Sequence, residues 1–397
     1  MDVVLMEWLS ALVRWLHVVA GIAWIGSSFY FVHLDLSLKP STDLPAGTQG
    51  ETWQVHGGGF YNMVKFLVAP PRMPDELTWF KWEAYTTWLS GFGLLVVTYY
   101  MSANLFFIDT SVLNIATSNA VAISVGGLAG GWIAYDLLCR SPLGRHENLL
   151  AGLGFVFLVA LAYLFAHLFS GRGAFIQMGA MIGTIMVANV FFVIIPNQKK
   201  AVAALLKGER PAEYLGVQAK QRSVHNNYLT LPVVFLMLGD HYPLMFGTRY
   251  NWLIFAIVLV VGFLIRHFYN LRHAGRPNPW WTWAAAAVGM GAVGWLSWAG
   301  TRLSEEAAIK ADPHATFADA QEIVLERCSM CHAKEPVWAG FVTAPRGVRL
   351  DTPEDIRLHA REIAVYAVLT DAMPPGNVTE ITDADRRKLA AGLRAAQ

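Results

Sequence analysis

The residues with the most definite chemistry lie near the C-terminal end, where Cys328-Ser329-Met330-Cys331-His332 forms a Cys-X-X-Cys-His run. Two thiols one short turn apart can form thioethers to a porphyrin, and the adjacent imidazole can reach its iron; this is the c-type haem attachment spacing. The alternative is half of a zinc site, but the region after residue 304 holds no second cysteine pair. A haem iron so held takes a second axial ligand. Met373, in Asp371-Ala372-Met373-Pro374-Pro375, lies 41 residues after His332 in a loop that the prolines would stiffen. His359 is the rival and is expected on a solvated helix face. One covalent haem c is therefore expected, bound through Cys328 and Cys331, with His332 and Met373 on its iron.

A second set of polar residues is embedded among aromatics. His56-Gly57-Gly58-Gly59-Phe60-Tyr61 sets an imidazole against a glycine run that would let backbone approach a ligand. Trp79-Phe80-Lys81-Trp82-Glu83, Arg222-Ser223-Val224-His225-Asn226-Asn227-Tyr228 and Arg266-His267 repeat the mixture of ring faces, amides and cations. A flat, anionic, hydrogen-bonding heterocycle would want such a lining. The plainer reading is that Lys, Arg, Trp and Tyr at these places are membrane anchors.

The elements that position these groups follow from composition. Of 397 residues 55% are hydrophobic and 15% charged, against about 25% charged in soluble domains. Such a chain needs lipid as its main solvent. A net charge of +1 gives no footing for a nucleic-acid partner. Apolar runs near 8–36, 84–107, 119–139, 149–170, 173–196, 226–246, 250–270 and 280–300 are each long enough to span a bilayer; the sixth, with Pro232 and Pro243, is the weakest. Charge then rises abruptly from Glu305 and Glu306 through Lys310 and Asp312. The expected fold is all-α: an eight-helix transmembrane bundle over 1–304, then a small class I cytochrome c domain over 305–397. Phe317 to Arg327 reads as the amphipathic helix that delivers the haem motif, and Thr382 with Asp385 as a capping box opening the last helix. Cys139 reads as a buried membrane residue.

Orientation follows from the connections. The odd-numbered ones hold fourteen Lys and Arg, and the even-numbered ones hold two, Arg172 and Arg249. By the positive-inside rule the odd connections are cytoplasmic and both termini lie outside. The expected location is a bacterial inner membrane, multi-pass, with the cytochrome domain in the periplasm. Histidines then sort into an outer layer (His17, His167, His241) and a cytoplasmic one (His33, His56, His225, His267, His273). Arg14 and His17 share a helix face: they could hold a haem propionate and iron, or Arg14 could snorkel to the interface beside a hydrogen-bonded His17. His17 to His33 and His225 to His241 are each sixteen residues apart, about 24 Å along a helix, a spacing seen with two haems stacked across a membrane.

Trp53 to Tyr61, Leu77 to Tyr85 and Arg222 to Pro232, together with the tail motif, make the whole chain resemble the membrane-bound urate oxidases with a fused cytochrome c. That resemblance implies oxidation of urate to 5-hydroxyisourate. Electrons would leave through haem c to a soluble cytochrome c or a terminal oxidase, in place of forming hydrogen peroxide. Such a site needs a base, cations for the anionic oxygens and an electron acceptor. His56, His225, Lys81 and Glu83 are the candidates for the catalytic roles, with Phe60, Tyr61, Trp79, Trp82, Asn226 and Arg222 to bind substrate; the choice of base among them stays open. A cytoplasmic site would put about 30 Å of hydrocarbon between urate and haem c. One or two b-type haems, ligated from His17, His33, His167, His241 and His267, would then have to relay the electrons. Otherwise urate binds near the outer face, directly against haem c. A rival reading is a membrane cytochrome passing quinol electrons onward, with no purine chemistry. A transporter with a redox tail would need paired broken helices or repeats, and none is visible.

Overall fold

In a bilayer an apolar run can satisfy its backbone only as a helix or within a closed barrel, and here helices are what form. The computed structural model describes residues 3–239, 241–312, 314–339 and 341–394, the side chains of 3, 300–309 and 311 excepted. The first helix, α1 (Val3–Ser37), is followed by a hairpin of β1 (Thr48–His56) and β2 (Gly59–Phe66). Then come α2 (Trp82–Leu94), which continues as a π-type turn over Leu95–Tyr100, and the short α3 (Ala103–Phe106). The bundle goes on through α4 (Thr117–Arg140), α5 (Glu147–Ala166), α6 (Gly171–Ala188) and α7 (Ile195–Leu206). It closes with α8 (Glu213–Gly239), the short α9 (Pro243–Phe246), α10 (Asn251–His273) and α11 (Trp281–Ala311).

Five helices among the described residues are long and apolar enough to cross a membrane: residues 4–37, 117–140, 147–166, 171–206 and 251–273. The expected spans near 84–107, 226–246 and 280–300 are also largely helical, in α2, α8 and α11, but do not reach that standard. In its most apolar stretch α1 is only 6% buried, whereas the long rod through α6 and α7 is 67% buried. The rod is therefore the axis of the bundle. On α1, packed along α2, Trp8, Trp15 and Ile22 stay exposed, as a lipid-facing surface requires.

Two departures from the sequence expectation stand out. The run expected as a glycine cradle is a two-stranded hairpin, its ends meeting as His56 opposite Gly59. Gly57 (φ +58°) and Gly58 (φ +79°) supply the left-handed pair that a two-residue turn requires. The expected boundary at 304/305 falls inside the continuous helix α11, where the side chains of Glu305 and Glu306 lie outside the described residues.

The tail is built from α12 (Phe317–Arg327), α13 (Ser329–His332), α14 (Pro353–Leu358), α15 (Ala360–Ile363) and α16 (Asp383–Arg394). The helix expected at Phe317 to Arg327 is α12, opened by a capping box between Thr316 and Asp319. The box expected at Thr382 is present too: Thr382 N donates to Asp385 Oδ2 (3.0 Å) and Asp385 N to Thr382 Oγ1 (3.1 Å). α12 and α16 lie across each other, and a Cβ on Gly392 would stand 2.8 Å from that of Ala320. α16 also packs on α11, which joins the tail to the bundle.

Candidate functional site

Three polar regions emerge: the tail's donor set, a buried network at the end of the bundle away from the tail, and a cavity at the end that meets the tail.

In the tail, Cys328 and Met373 both pack against one apolar core that includes Ile323, Ile356 and Leu389. Burial pushes the Cys328 thiol up to about 12. His332 Nδ1 lies 2.9 Å from the Val348 carbonyl, so Nδ1 carries the proton and Nε2 is left for a metal. The loop before α16 is pinned by Arg386, whose Nη1 donates to the Met373 carbonyl (3.0 Å) and to that of Ala367. Its residues alternate: Ala372 belongs to the bundle's core and Met373 to the tail's. Two thiols, an oriented imidazole and a pinned thioether are the donors a covalent haem c takes, so these residues fit that group. His359, expected on a solvated face, is half-buried where α14 meets α15.

At the far end, α4, α8 and the turn after α6 share a network that joins the sequence candidates Arg222, His225 and Asn226 to three residues the sequence did not single out. Arg222 donates to Asp136 (2.8 Å), as does Arg140 (2.6 Å). Asn189 donates to Asn226 (2.9 Å) and to the Tyr135 hydroxyl (3.1 Å), which meets His225 Nδ1 at 2.7 Å. The Arg222 guanidinium lies over the Tyr135 ring at 4.9 Å. Alongside runs a second chain, with Arg266 and Asn270 donating to Asn227 (3.4 and 3.0 Å) and Tyr228 meeting His267 at 3.2 Å. Asp136, Tyr135 and Asn189 were missed. A lone carboxylate within an apolar span was the available signal for the first of them.

The remaining candidates do not converge. His56, Phe60 and Tyr61 are exposed at the hairpin tip. Lys81 caps α2 and stands over the exposed Trp82 at 5.3 Å, while Glu83 lies in the first turn of α2. Trp79 and Asn226 share a cavity of about 450 Å³ with Trp24, Ser28, Gln198 and Ser223, a lining without a charged side chain. Of the histidines, His17 Nδ1 is spent on the Thr87 carbonyl (2.9 Å) and Arg14 beside it is exposed, which is the anchoring alternative. His33 faces His273, ring centres 4.5 Å apart. His167 and His241 are exposed.

The cavity at the tail end has a volume of about 370 Å³. It is walled by the segments 105–112, 166–172 and 246–251 of the bundle and 371–376 of the tail. The Arg172 guanidinium makes cation–π contacts with the rings of Phe106 (5.7 Å) and Phe246 (5.3 Å). Arg249 also lines it, its guanidinium donating to the Tyr250 hydroxyl at 2.7 Å. Asp109, 5% exposed, accepts from Ser111 N (2.9 Å) and Oγ (2.5 Å). His167 Nδ1 donates to the Tyr163 carbonyl (2.7 Å), which leaves Nε2 as an acceptor.

Residues 3–297, three quarters of the chain, match the family model described as urate oxidase, N-terminal. The chain belongs to that family. Neither the curated proteins nor the solved structures gave a match. Membership relates the bundle to urate oxidation and places the chain among enzymes acting on urate. The matched stretch contains the buried network, the cavity at Trp79 and Asn226, and the bundle's side of the cavity at the tail end.

Proposed function

We propose that the protein is a membrane urate oxidase that converts urate to 5-hydroxyisourate and sends the electrons through its own haem c. Family membership over 3–297 supports the substrate. The observation that carries the electron route is the seat of the Met373 loop, since Ala372 packs into the bundle's core while Met373, next to it, packs into the tail's. A domain whose ligand loop is built into the catalytic bundle is placed to accept electrons from it.

Cys328 and Cys331 would hold the haem, with His332 and Met373 on its iron; when bound, it accepts one electron at a time. The bundle supplies binding, orientation and proton transfer. In this reading the chain crosses a bacterial inner membrane about eight times. The cytochrome domain is periplasmic, and a soluble cytochrome c or a terminal oxidase removes the electrons. Purine breakdown then feeds the respiratory chain without producing hydrogen peroxide.

The test is anaerobic addition of urate to the purified, oxidised protein. Reduced haem c bands are expected to appear as urate is consumed. Loss of urate with hydrogen peroxide formed and haem c unchanged would overturn the electron route. The uncharged cavity at Trp79 and Asn226 favours a second reading, in which a quinol delivers the electrons. Reduction of haem c by a quinol but not by urate would select it.

A further inference from the structure

We infer that urate binds in the cavity between the bundle and the tail, against the loop that carries Met373, and not in the polar region at the opposite end. This rests on the urate reading above and assigns its site.

The charge distribution is the first ground. Sixteen Lys and Arg occupy the connections, and fourteen lie in the odd-numbered ones. The only two in the even-numbered connections, Arg172 and Arg249, come from different connections and yet line one cavity. Topology disfavours cations at this end, yet Arg172 and Arg249 meet here beside the carboxylates Asp109 and Asp371, so the cavity offers paired donors and acceptors to one ligand. Urate is an anion with flat N–C–O edges, and a planar guanidinium can bind such an edge through two parallel hydrogen bonds. The rings of Phe106 and Phe246 both hold the Arg172 guanidinium by cation–π contact. The volume, about 370 Å³, is in the range of small-molecule sites.

Proton chemistry and electron exit are the second ground. Oxidation of the urate monoanion forms one C5–O bond to water and releases two electrons and one proton. His167, with Nε2 available, can take that proton as water adds, and Asp109 can orient the water or a ring N–H. Haem c held by Cys328 and Cys331 would take the two electrons one at a time, with the downstream one-electron acceptor reoxidising it after each. Asp371, Ala372, Pro375 and Gly376 line the cavity and bracket Met373. A purine bound there is next to the ligand loop, so no relay through about 30 Å of hydrocarbon is needed.

Equilibrium dialysis of urate against dithionite-reduced protein measures binding without turnover. Arg172→Gln and Arg249→Gln should each weaken binding at least tenfold, with Arg172→Lys intermediate. Gln198→Ala, in the opposite cavity, should bind as the parent does. Haem content and the reduced spectrum verify that each variant is folded, and the exposed Arg249 carries the test should Arg172→Gln fail to fold. Right-side-out vesicles should have haem c reduced by external urate. If urate reduces haem c in the parent protein while both arginine variants bind it normally, or if Gln198→Ala abolishes binding, this site is wrong and the electron route stands. If the parent neither binds urate nor is reduced by it, both fall.

Discussion

Gly376 in the tail sits directly on the backbone of the bundle: a Cβ added to it would stand 2.6 Å from the Ile108 carbonyl oxygen and would also strike that of Asn104. Its φ of +60° is a second reason for glycine. On the other side of the cavity a Cβ on Gly247 would stand 2.7 Å from that of Thr370. Two close contacts at glycines thus bring the Met373 loop and the bundle together around one space.

Gly376→Ala should loosen that seat. A left-handed alanine costs about 1 kcal/mol and overpacking a further 1–3 kcal/mol, which the loop can relieve by lifting away from α3. Stopped-flow spectroscopy should show urate-driven reduction of haem c slowed at least tenfold. Haem content and direct reduction by dithionite should be unchanged. Equal rates in the two proteins would mean that electrons do not pass through this contact.

The tail ligands make separable predictions. Replacing Cys328 and Cys331 by alanine should abolish covalent haem, seen as loss of haem stain on a denaturing gel. Met373→Ala should keep the covalent haem, because both thiols and His332 remain, but lower its midpoint potential, since a Met axial ligand raises it. Redox titration of the purified variants measures this. An unshifted midpoint would show that another group holds that position.

Asp136 and Arg222 form a buried ion pair, with their side chains 12% and 3% exposed. Removing one partner strands the other. Asp136→Asn should destabilise the bundle by about 3–5 kcal/mol, seen as a lower melting temperature in detergent. The double change Asp136→Leu with Arg222→Met should recover most of that loss, because two apolar groups remove the charge problem together. If the single variant melts with the parent, the Asn189 side chain and the backbone carbonyl of residue 136 satisfy Arg222 without the carboxylate.

What could be read from sequence was whatever one short stretch contains. The haem motif, the helix over 317–327, the capping box at Thr382 and the long apolar helices each announce themselves within a few turns. The hairpin was readable and was missed. Trp53 to His56 and Phe60 onward flank a glycine pair suited to a two-residue turn, but the same glycines beside an imidazole also suit a ligand cradle. The Asp136–Arg222 pair and the cavity of Arg172 and Arg249 were not readable as sites. Their parts come from separate helices and connections, and only tertiary packing joins them. The two arginines were visible as exceptions to the charge asymmetry, and their common cavity is what gives the exception a meaning.

Acid should act on the tail through Asp319. Its carboxylate meets Lys388 Nζ at 2.8 Å and accepts from the Thr316 backbone N–H, also at 2.8 Å. Hydrogen bonds from Lys388 and then Thr316 hold its carboxyl well below the ordinary value of 3.8, and the same pair raises the Lys388 ammonium above 10.5. The folded tail favours the charged form of each. The contribution of Asp319 is therefore complete above the ordinary carboxylate range and is lost as pH falls through it toward the lowered value. That of Lys388 is complete below its ordinary value and is lost only in strong alkali. Melting followed at the haem c absorbance should show the parent losing more stability than Asp319→Asn between pH 7 and about pH 3, with the two curves converging at the acid end. Parallel curves would mean that the Thr316–Asp319–Lys388 cluster contributes nothing to acid stability.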